Sequence, residues 1–186
     1  MVDFVVIGAG ICGCSVAYFL NKADKSVLLV DKNQKVAGGA SGAAGAFLSP
    51  LLGKNNKFKT LVNKALIYST DFYKENFEDC IINNGVLRIP KNQIDREKFK
   101  NYDHDFEFSE IDDGYFFEIG SLVDSAKVCE KLSFGCEKKF GYEVINISRR
   151  ENFWIINNEI KTKNIILATG AKINLIDEPW LKIRPV

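Results

Sequence analysis

The sequence predicts an α/β fold, a doubly wound parallel sheet of the Rossmann-like kind carrying a β-meander, joined to an incomplete α+β second domain. Three observations carry that expectation. An apolar run, Val2–Ile7, is followed by an uncharged helical stretch and a second apolar run, Val27–Val30, closed by Asp31. A glycine pattern, Gly8-Ala9-Gly10-Ile11-Cys12-Gly13, stands between the first run and the helix. Much later, after three short strand-like segments, an apolar run Ile165-Ile166-Leu167 ends in Ala168-Thr169-Gly170 and returns the chain to a parallel sheet.

The first element reads as a buried parallel strand, because both of its faces are apolar. Ile11 to about Leu20 is expected to be a helix with small residues, Gly13 and Ala17, on one side. Asn21–Ser26 is a polar turn, and Val27–Val30 a second buried strand. Strand, helix and strand together make a βαβ unit of about thirty residues. Val36–Gly45 is a loop of glycine, alanine and serine. Lys57 to about Asp79 is a long amphipathic helix. Asn83-Asn84-Gly85 signals a turn ahead of a strand, Val86–Ile89, which Pro90 stops. Lys91–Asp113 is a polar stretch, Tyr115–Ile119 a strand, and Asp124 the cap of a short helix reaching about Leu132. Glu143–Ser148, Phe153–Ile156 and Glu159–Thr162 are short strands, the last two joined by a tight turn at Asn157-Asn158. The expected division is 1–79 and 124–175 for the dinucleotide-binding domain, 80–123 for part of a substrate domain, and 176–186 for the start of a further substrate-domain segment.

The glycine pattern has a physical use. The first glycine permits the tight turn, the second lets backbone approach a pyrophosphate, and the third lets helix and strand pack closely. The helix N-terminus then offers free N–H groups to phosphate. Asp31, at the end of the second strand, is placed to accept from ribose hydroxyls and to repel a 2′-phosphate, which disfavours NADP. The loop Gly38–Gly45 is either an ordinary surface loop or a second stretch of close backbone approach. A plain nicotinamide dehydrogenase has no need of the latter, whereas an extended FAD molecule runs toward that segment, and Ser41 would donate to a phosphate oxygen. The fold class is therefore FAD/NAD(P)-binding, and FAD is the expected cofactor.

With 186 residues, 46% apolar and 26% charged, the composition is that of a globular protein. Twenty-five basic against 24 acidic residues, net +1, give no chain-wide nucleic-acid footprint. The run Phe4–Leu20 is too short for a membrane span and lacks the basic residues a signal peptide needs in front of it. Five cysteines without a paired spacing read as reduced thiols of a cytoplasmic protein, with no zinc site. His104, the only histidine, lies between Asp103 and Asp105 in a solvated stretch and lacks a partner nucleophile motif. Tyr115, Phe116 and Phe117 read as core. Lys138-Lys139 and Arg149-Arg150 read as a solvated face, with contact to RNA phosphates as the alternative.

Taken together, the chain resembles the D-amino-acid oxidase group of FAD-dependent oxidoreductases, which includes glycine and sarcosine oxidases. Within that group it is most similar to the oxidoreductase domain of the bifunctional enzymes that make 5-methylaminomethyl-2-thiouridine in tRNA, over the N-terminal half only. The residues behind the closer similarity are Gly39–Gly42, Gly45–Leu52, Gly85–Arg88, Gly114–Phe117 and Ile183–Val186. The resemblance implies that Gly8, Ala9, Gly10, Gly13 and Asp31 hold the ADP half of FAD, with Lys32 near the adenosine. It implies that Ser41, Ala43, Ala44 and Gly45 line the path from pyrophosphate to flavin. Val144 would meet the adenine through its backbone, on a strand, and Thr169 and Gly170 would close the channel. The implied chemistry is oxidation of a glycine-like C–N bond by hydride loss to the flavin, with no side-chain base required and no catalytic residue or metal assigned. The substrate would be the carboxymethylaminomethyl group of a tRNA wobble uridine, or alternatively a free amine such as glycine, sarcosine or a D-amino acid. The group's members are considerably longer and the bifunctional enzymes carry a methyltransferase domain, so that activity is expected to be absent. A third expectation is a truncated, non-catalytic dinucleotide-binding fragment with little turnover of its own.

Overall fold

The computed structural model describes residues 1–171 and Leu175. Along the chain run β1 (Val2–Ile7), α1 (Ile11–Lys22), β2 (Val27–Asp31), α2 (Ala40–Ala43), β3 (Phe47–Leu48), α3 (Lys57–Asn76), β4 (Ile81–Arg88), α4 (Gln93–Lys100), β5 (Ser109–Ile111), β6 (Gly114–Val123), α5 (Ser125–Leu132), β7 (Glu137–Phe140), β8 (Ile147–Arg150), β9 (Phe153–Ile156) and β10 (Ile160–Leu167). They form two compact units, one of Met1–Ala44 with the chain from Ser125 onward, the other Gly45–Asp124. Helix α3 therefore belongs with the second unit, although the sequence reading put residues up to 79 with the first. The segment 176–186, with the closing Ile183–Val186, lies outside the described residues.

The first unit is built on a sheet of order β7-β2-β1-β10-β9-β8. The first three pairings are parallel and the last two antiparallel. Successive strand residues face opposite sides, so one strand feeds two cores. Val5, Ile7, Leu28 and Val30 form a cluster with Val144 and Ile156, on which Ile147 and Ile160 pack. Val6 and Leu29 alternate with them and are fully buried, as are Cys14 and Ala17 of α1 and Val128 and Cys129 of α5. Helices α1 and α5 pack on each other, so helices and meander between them cover a sheet that is apolar on both faces.

Strand β10 differs from the sequence reading, which has one strand at 159–162 and another from Asn164. The two are continuous. Residues Ile160–Thr162 pair antiparallel with β9, while Thr162 to Leu167 pair parallel with β1. Thr162 sits at the change of partner: it is fully buried, and its hydroxyl, with a single proton to donate, lies within hydrogen-bond distance of both Val2 O (3.2 Å) and Asn164 O (2.9 Å). Asn157 and Asn158 do form the preceding turn, both at positive φ (48° and 58°).

The second unit has a sheet of order β3-β6-β4 with β5 also on β6. Asn83-Asn84-Gly85 is not a turn ahead of a strand. It lies inside β4, where the register with β6 shifts on either side of it. Gly85 has φ +81°, and a Cβ there would stand 2.1 Å from the Phe116 ring, so the turn residues serve a bulge against an aromatic neighbour. The polar stretch 91–113 contains α4, capped by the Asn92 side chain accepting from Asp95 N (2.9 Å). Its Phe99 stacks on Tyr115 and, with Phe117, forms the core of this unit. His104 packs its ring on Phe99 and Phe108.

Helix α3 turns a polar face inward. Lys59, 2% exposed, bonds Gly53 O (3.2 Å), Asn55 Oδ1 (3.0 Å) and Asp103 O, and pairs with Asp105 at 3.2 Å. Buried Asn63 grips Leu51 through both its N–H and its carbonyl and donates to Asp105 at 2.5 Å. These bonds pin the segment 51–55 to the helix.

Candidate functional site: the glycine turn between β1 and α1

The turn is held from three sides by backbone. Gly8 N donates to Val30 O of β2 (2.8 Å), and Ala168 N donates to Ile7 O (2.8 Å). Gly8 adopts φ +109°, and a Cβ there would meet Ala168 O at 2.3 Å. A Cβ on Gly13 would stand 1.8 Å from Gly8 O and 3.3 Å from the Ala168 side chain, so helix and strand touch through bare backbone. Gly10 caps α1 without a side chain, which leaves the first-turn N–H groups facing outward. One of them, Ile11 N–H, is taken by Ser41 Oγ at 3.0 Å. That hydroxyl stays able to donate its own proton. Ser125 Oγ donates to Ser41 O at 2.6 Å and fixes the serine from α5.

Asp31 is built into the same turn. Its Oδ2 accepts from Ala9 N (2.7 Å), while Oδ1 accepts from Asn33 N (2.7 Å) and Asn33 Nδ2 (2.9 Å). A carboxylate oxygen has more than one lone-pair site, so the bonded carboxylate retains acceptor capacity while its orientation is set. Ala37 N donates to Ala9 O (2.8 Å), tying the second loop to the first. Cys14 is fully buried with its thiol 3.4 Å from Ala9 O, and the hydrogen bond with Cys129 followed by burial pushes that thiol up, so it stays protonated.

The structure thus brings Gly8, Ala9, Gly10, Gly13, Asp31 and Ser41 together, with Thr169 next to the Ala168 that packs on the glycines. Gly170 follows at φ +65°. Lys32, Ala43 and Ala44 are exposed, and Gly45 opens the second unit. Val144 departs from the reading that put it on a strand: β8 begins at Ile147, and Val144 lies in the irregular segment before it, buried against Val30 and Leu28. Asn157 holds that segment, accepting from Ile145 N and Asn146 N and donating to Glu143 O, which replaces the ladder a strand would have supplied. The sequence reading missed Asn33, Ala37 and Ser125. Asn33 had a legible signal, since a polar side chain two residues past a strand-end carboxylate is placed to bond it. Ser125 had none, because its partner is distant in sequence.

A parallel sheet with a glycine turn at a helix N-terminus and a strand-end carboxylate bonded into it defines a dinucleotide-binding α/β protein. The family model for FAD dependent oxidoreductases matches residues 3–186, and the chain belongs to that family, an enzyme family whose cofactor is FAD. The cradle fits such a group, since Gly10 places no side chain over the first-turn N–H groups of α1. Among curated proteins the chain is 27% identical over 181 residues to the tRNA 5-methylaminomethyl-2-thiouridine biosynthesis bifunctional protein MnmC of Campylobacter hominis, covering 91% of this chain and 27% of that protein. It is 23% identical to the protein of the same name from Legionella pneumophila, covering 94% of this chain and 30% of that one. Among solved structures, glycine oxidase from Geobacillus kaustophilus superposes with a TM-score of 0.75 at 14% identity, over 91% of this chain and 55% of that one. The FAD-bound L-alpha-glycerophosphate oxidase of Mycoplasma pneumoniae superposes with a TM-score of 0.62 at 18% identity, over 89% of this chain and 52% of that one. The chain therefore spans under a third of the curated relatives and about half of the solved ones. No helix among the described residues is long and apolar enough to cross a membrane, and no cluster of metal-ligating side chains is found among them.

Proposed function

We propose that the chain supplies the FAD-holding part of an oxidoreductase acting on a glycine-like C–N bond, the carboxymethylaminomethyl group of a tRNA wobble uridine, in the cytoplasm. The observation that carries the redox class is the glycine turn with Asp31 bonded to Ala9 N. The tRNA substrate is supported by the alignment of nine-tenths of the chain with proteins named for that modification.

In this reading Gly8, Ala9, Gly10 and Gly13 present the α1 N-terminus to the pyrophosphate, and Asp31 accepts from the adenosine ribose with Lys32 alongside. Ser41 donates to a phosphate oxygen while accepting from Ile11 N. The small residues Ala43, Ala44 and Gly45 leave room along the path to the flavin. The Val144 backbone meets the adenine, and Thr169 and Gly170 close the channel. Bound FAD would accept a hydride from the carbon beside the amine. The substrate would be left as an imine between the amine nitrogen and the glycine carbon, and its hydrolysis would release glyoxylate and leave an aminomethyl group on the uridine. No side chain of this chain is needed as a base, so its residues bind and orient.

A visible absorption spectrum before and after heat release tests the cofactor role. Flavin bands that give free FAD support it, and a folded, colourless protein that takes up no added FAD removes it. An assay comparing carboxymethylaminomethyl-modified tRNA with free glycine then separates the two substrates, and turnover of glycine alone would discard the tRNA reading.

A further inference from the structure

The meander presents a surface that the cofactor site does not use. Strands β8, β9 and the start of β10 turn Ile147, Ile156 and Ile160 toward the core. The alternate positions therefore face away. Those positions are paired across the strands, Arg150 with Phe153 and Ser148 with Ile155, and Ile155 in turn with Lys161. Together with Arg149 and Glu151 they line a shallow cavity of about 570 Å³. Its floor is the half-buried Phe153 and Ile155, and its outward rim holds exposed Arg150 and Lys161 against Glu151, while Arg149 pairs with Trp154 on the side that Ile147 and Ile156 occupy.

Neither Arg150 nor Lys161 is ion-paired among the described residues, and Lys161 lies 5.7 Å over the Phe153 ring. The other exposed basic groups nearby are committed, Lys139 to Glu159 and Lys163 to Asp3. Arginines on β8 alone would read as edge protection, since β8 ends the sheet. Lys161 stands on β10, in the interior of the sheet, where no edge needs guarding. Cations beside exposed aromatic surface suit a polyanion that also carries flat bases.

We propose that this outer face of the meander docks the phosphodiester backbone of the RNA substrate, with Arg150 and Lys161 as the phosphate contacts and Phe153 as an apolar floor. The inference rests on the tRNA reading above and adds the surface that would receive it.

The test is binding of fluorescently labelled tRNA to the purified protein over a salt series. It compares the wild type, the double variant Arg150→Ala/Lys161→Ala, and a charge-matched double, Lys54→Ala/Lys64→Ala, drawn from exposed lysines of the second unit. Loss of two phosphate contacts should weaken binding about tenfold at 0.1 M salt and lower the log–log salt slope by about 1–2. The charge-matched double should stay near wild type, and both variants should share the wild-type melting temperature. Wild-type affinity in the meander double would overturn the docking surface and leave the tRNA reading standing. Equal weakening in both doubles would overturn it as well, since net charge alone would be responsible. A wild type that binds no tRNA at any salt would remove both. Loss of binding to phosphatidylserine vesicles with tRNA binding intact would reassign the face to a membrane.

Discussion

Replacing Gly13 by alanine should unfold the cradle without touching any ligand-binding side chain. The added Cβ would stand 1.8 Å from Gly8 O and 3.0 Å from Gly8 C, both backbone atoms that no rotamer change can move. Ordinary carbon–oxygen contact needs roughly 1.5 Å more, so α1 must retreat from β1 by about that distance. That retreat pulls Gly10 and Ile11 away from Ser41 and opens the contact with Ala168. Overpacking of this kind costs about 1–3 kcal/mol, and the better helix propensity of alanine returns at most about 1 kcal/mol. A net loss of about 1–2 kcal/mol is expected, a sizeable share of the stability of a small domain. Urea denaturation measures it, with Gly39→Ala as control, because no atom stands within 4 Å of a Cβ at Gly39. The same variant should hold less flavin. If Gly13→Ala is as stable as Gly39→Ala and equally yellow, helix and strand do not meet as described.

Other perturbations probe other parts. Asp31→Ala should leave Ala9 N–H and Asn33 N–H without their acceptor, costing about 2 kcal/mol, and hydrogen exchange at Ala9 should speed up; unchanged exchange would contradict the bond. Lys59→Met keeps the stem but strips a donor from Gly53 O, Asn55 Oδ1, Asp103 O and Asp105. Asp105 is one-third exposed and can rehydrate, so the loss should sit near 2–3 kcal/mol, and a variant as stable as wild type would show the network to be dispensable. Asp3 bonds Lys163 and Ser26, which hold its carboxyl well below the ordinary 3.8. A depressed carboxyl stabilises the fold above its unfolded value and loses that contribution as pH falls through the folded one. The melting-temperature gap between wild type and Asp3→Asn should therefore be constant from neutral pH to about 5 and narrow below about 4. A gap that widens on acidification would reverse the sign.

The βαβ unit was legible because each of its parts answers to a local rule. Val2–Ile7 and Val27–Val30 are apolar on both faces, and the glycines fall where strand must become helix. What escaped was set by partners distant in sequence or by position at an edge. β7, Glu-Lys-Lys-Phe, carries no apolar run because it is an edge strand, paired on one side only with β2. The capping pair Asn92 and Asp95 is present in the sequence, yet α4 reads only as part of a polar stretch, because Phe99 alone of its residues is buried. Asn83-Asn84-Gly85 has turn chemistry, and only the Phe116 ring opposite Gly85 makes it a bulge. Within the candidate site, the glycines and Asp31 were readable, while the bonds that orient Asp31 and Ser41 needed the fold.

The pairing of Val2 with Thr162 and the packing of Ala168 on Gly8 and Gly13 set an order of events for the growing chain. β1 has β2 within reach as soon as both are made, but its other neighbour arrives only after more than a hundred further residues. During that interval one edge of β1 is open, and the glycine turn lacks the wall that shapes it. The second unit, whose widest strand pairing joins Phe47 to Leu122 and so spans less chain than that of β1 with β10, can close first. Contacts of such long range slow folding, so the cradle should be among the last parts to form and, in refolding from urea, should acquire its protected amides after β4 and β6 have theirs.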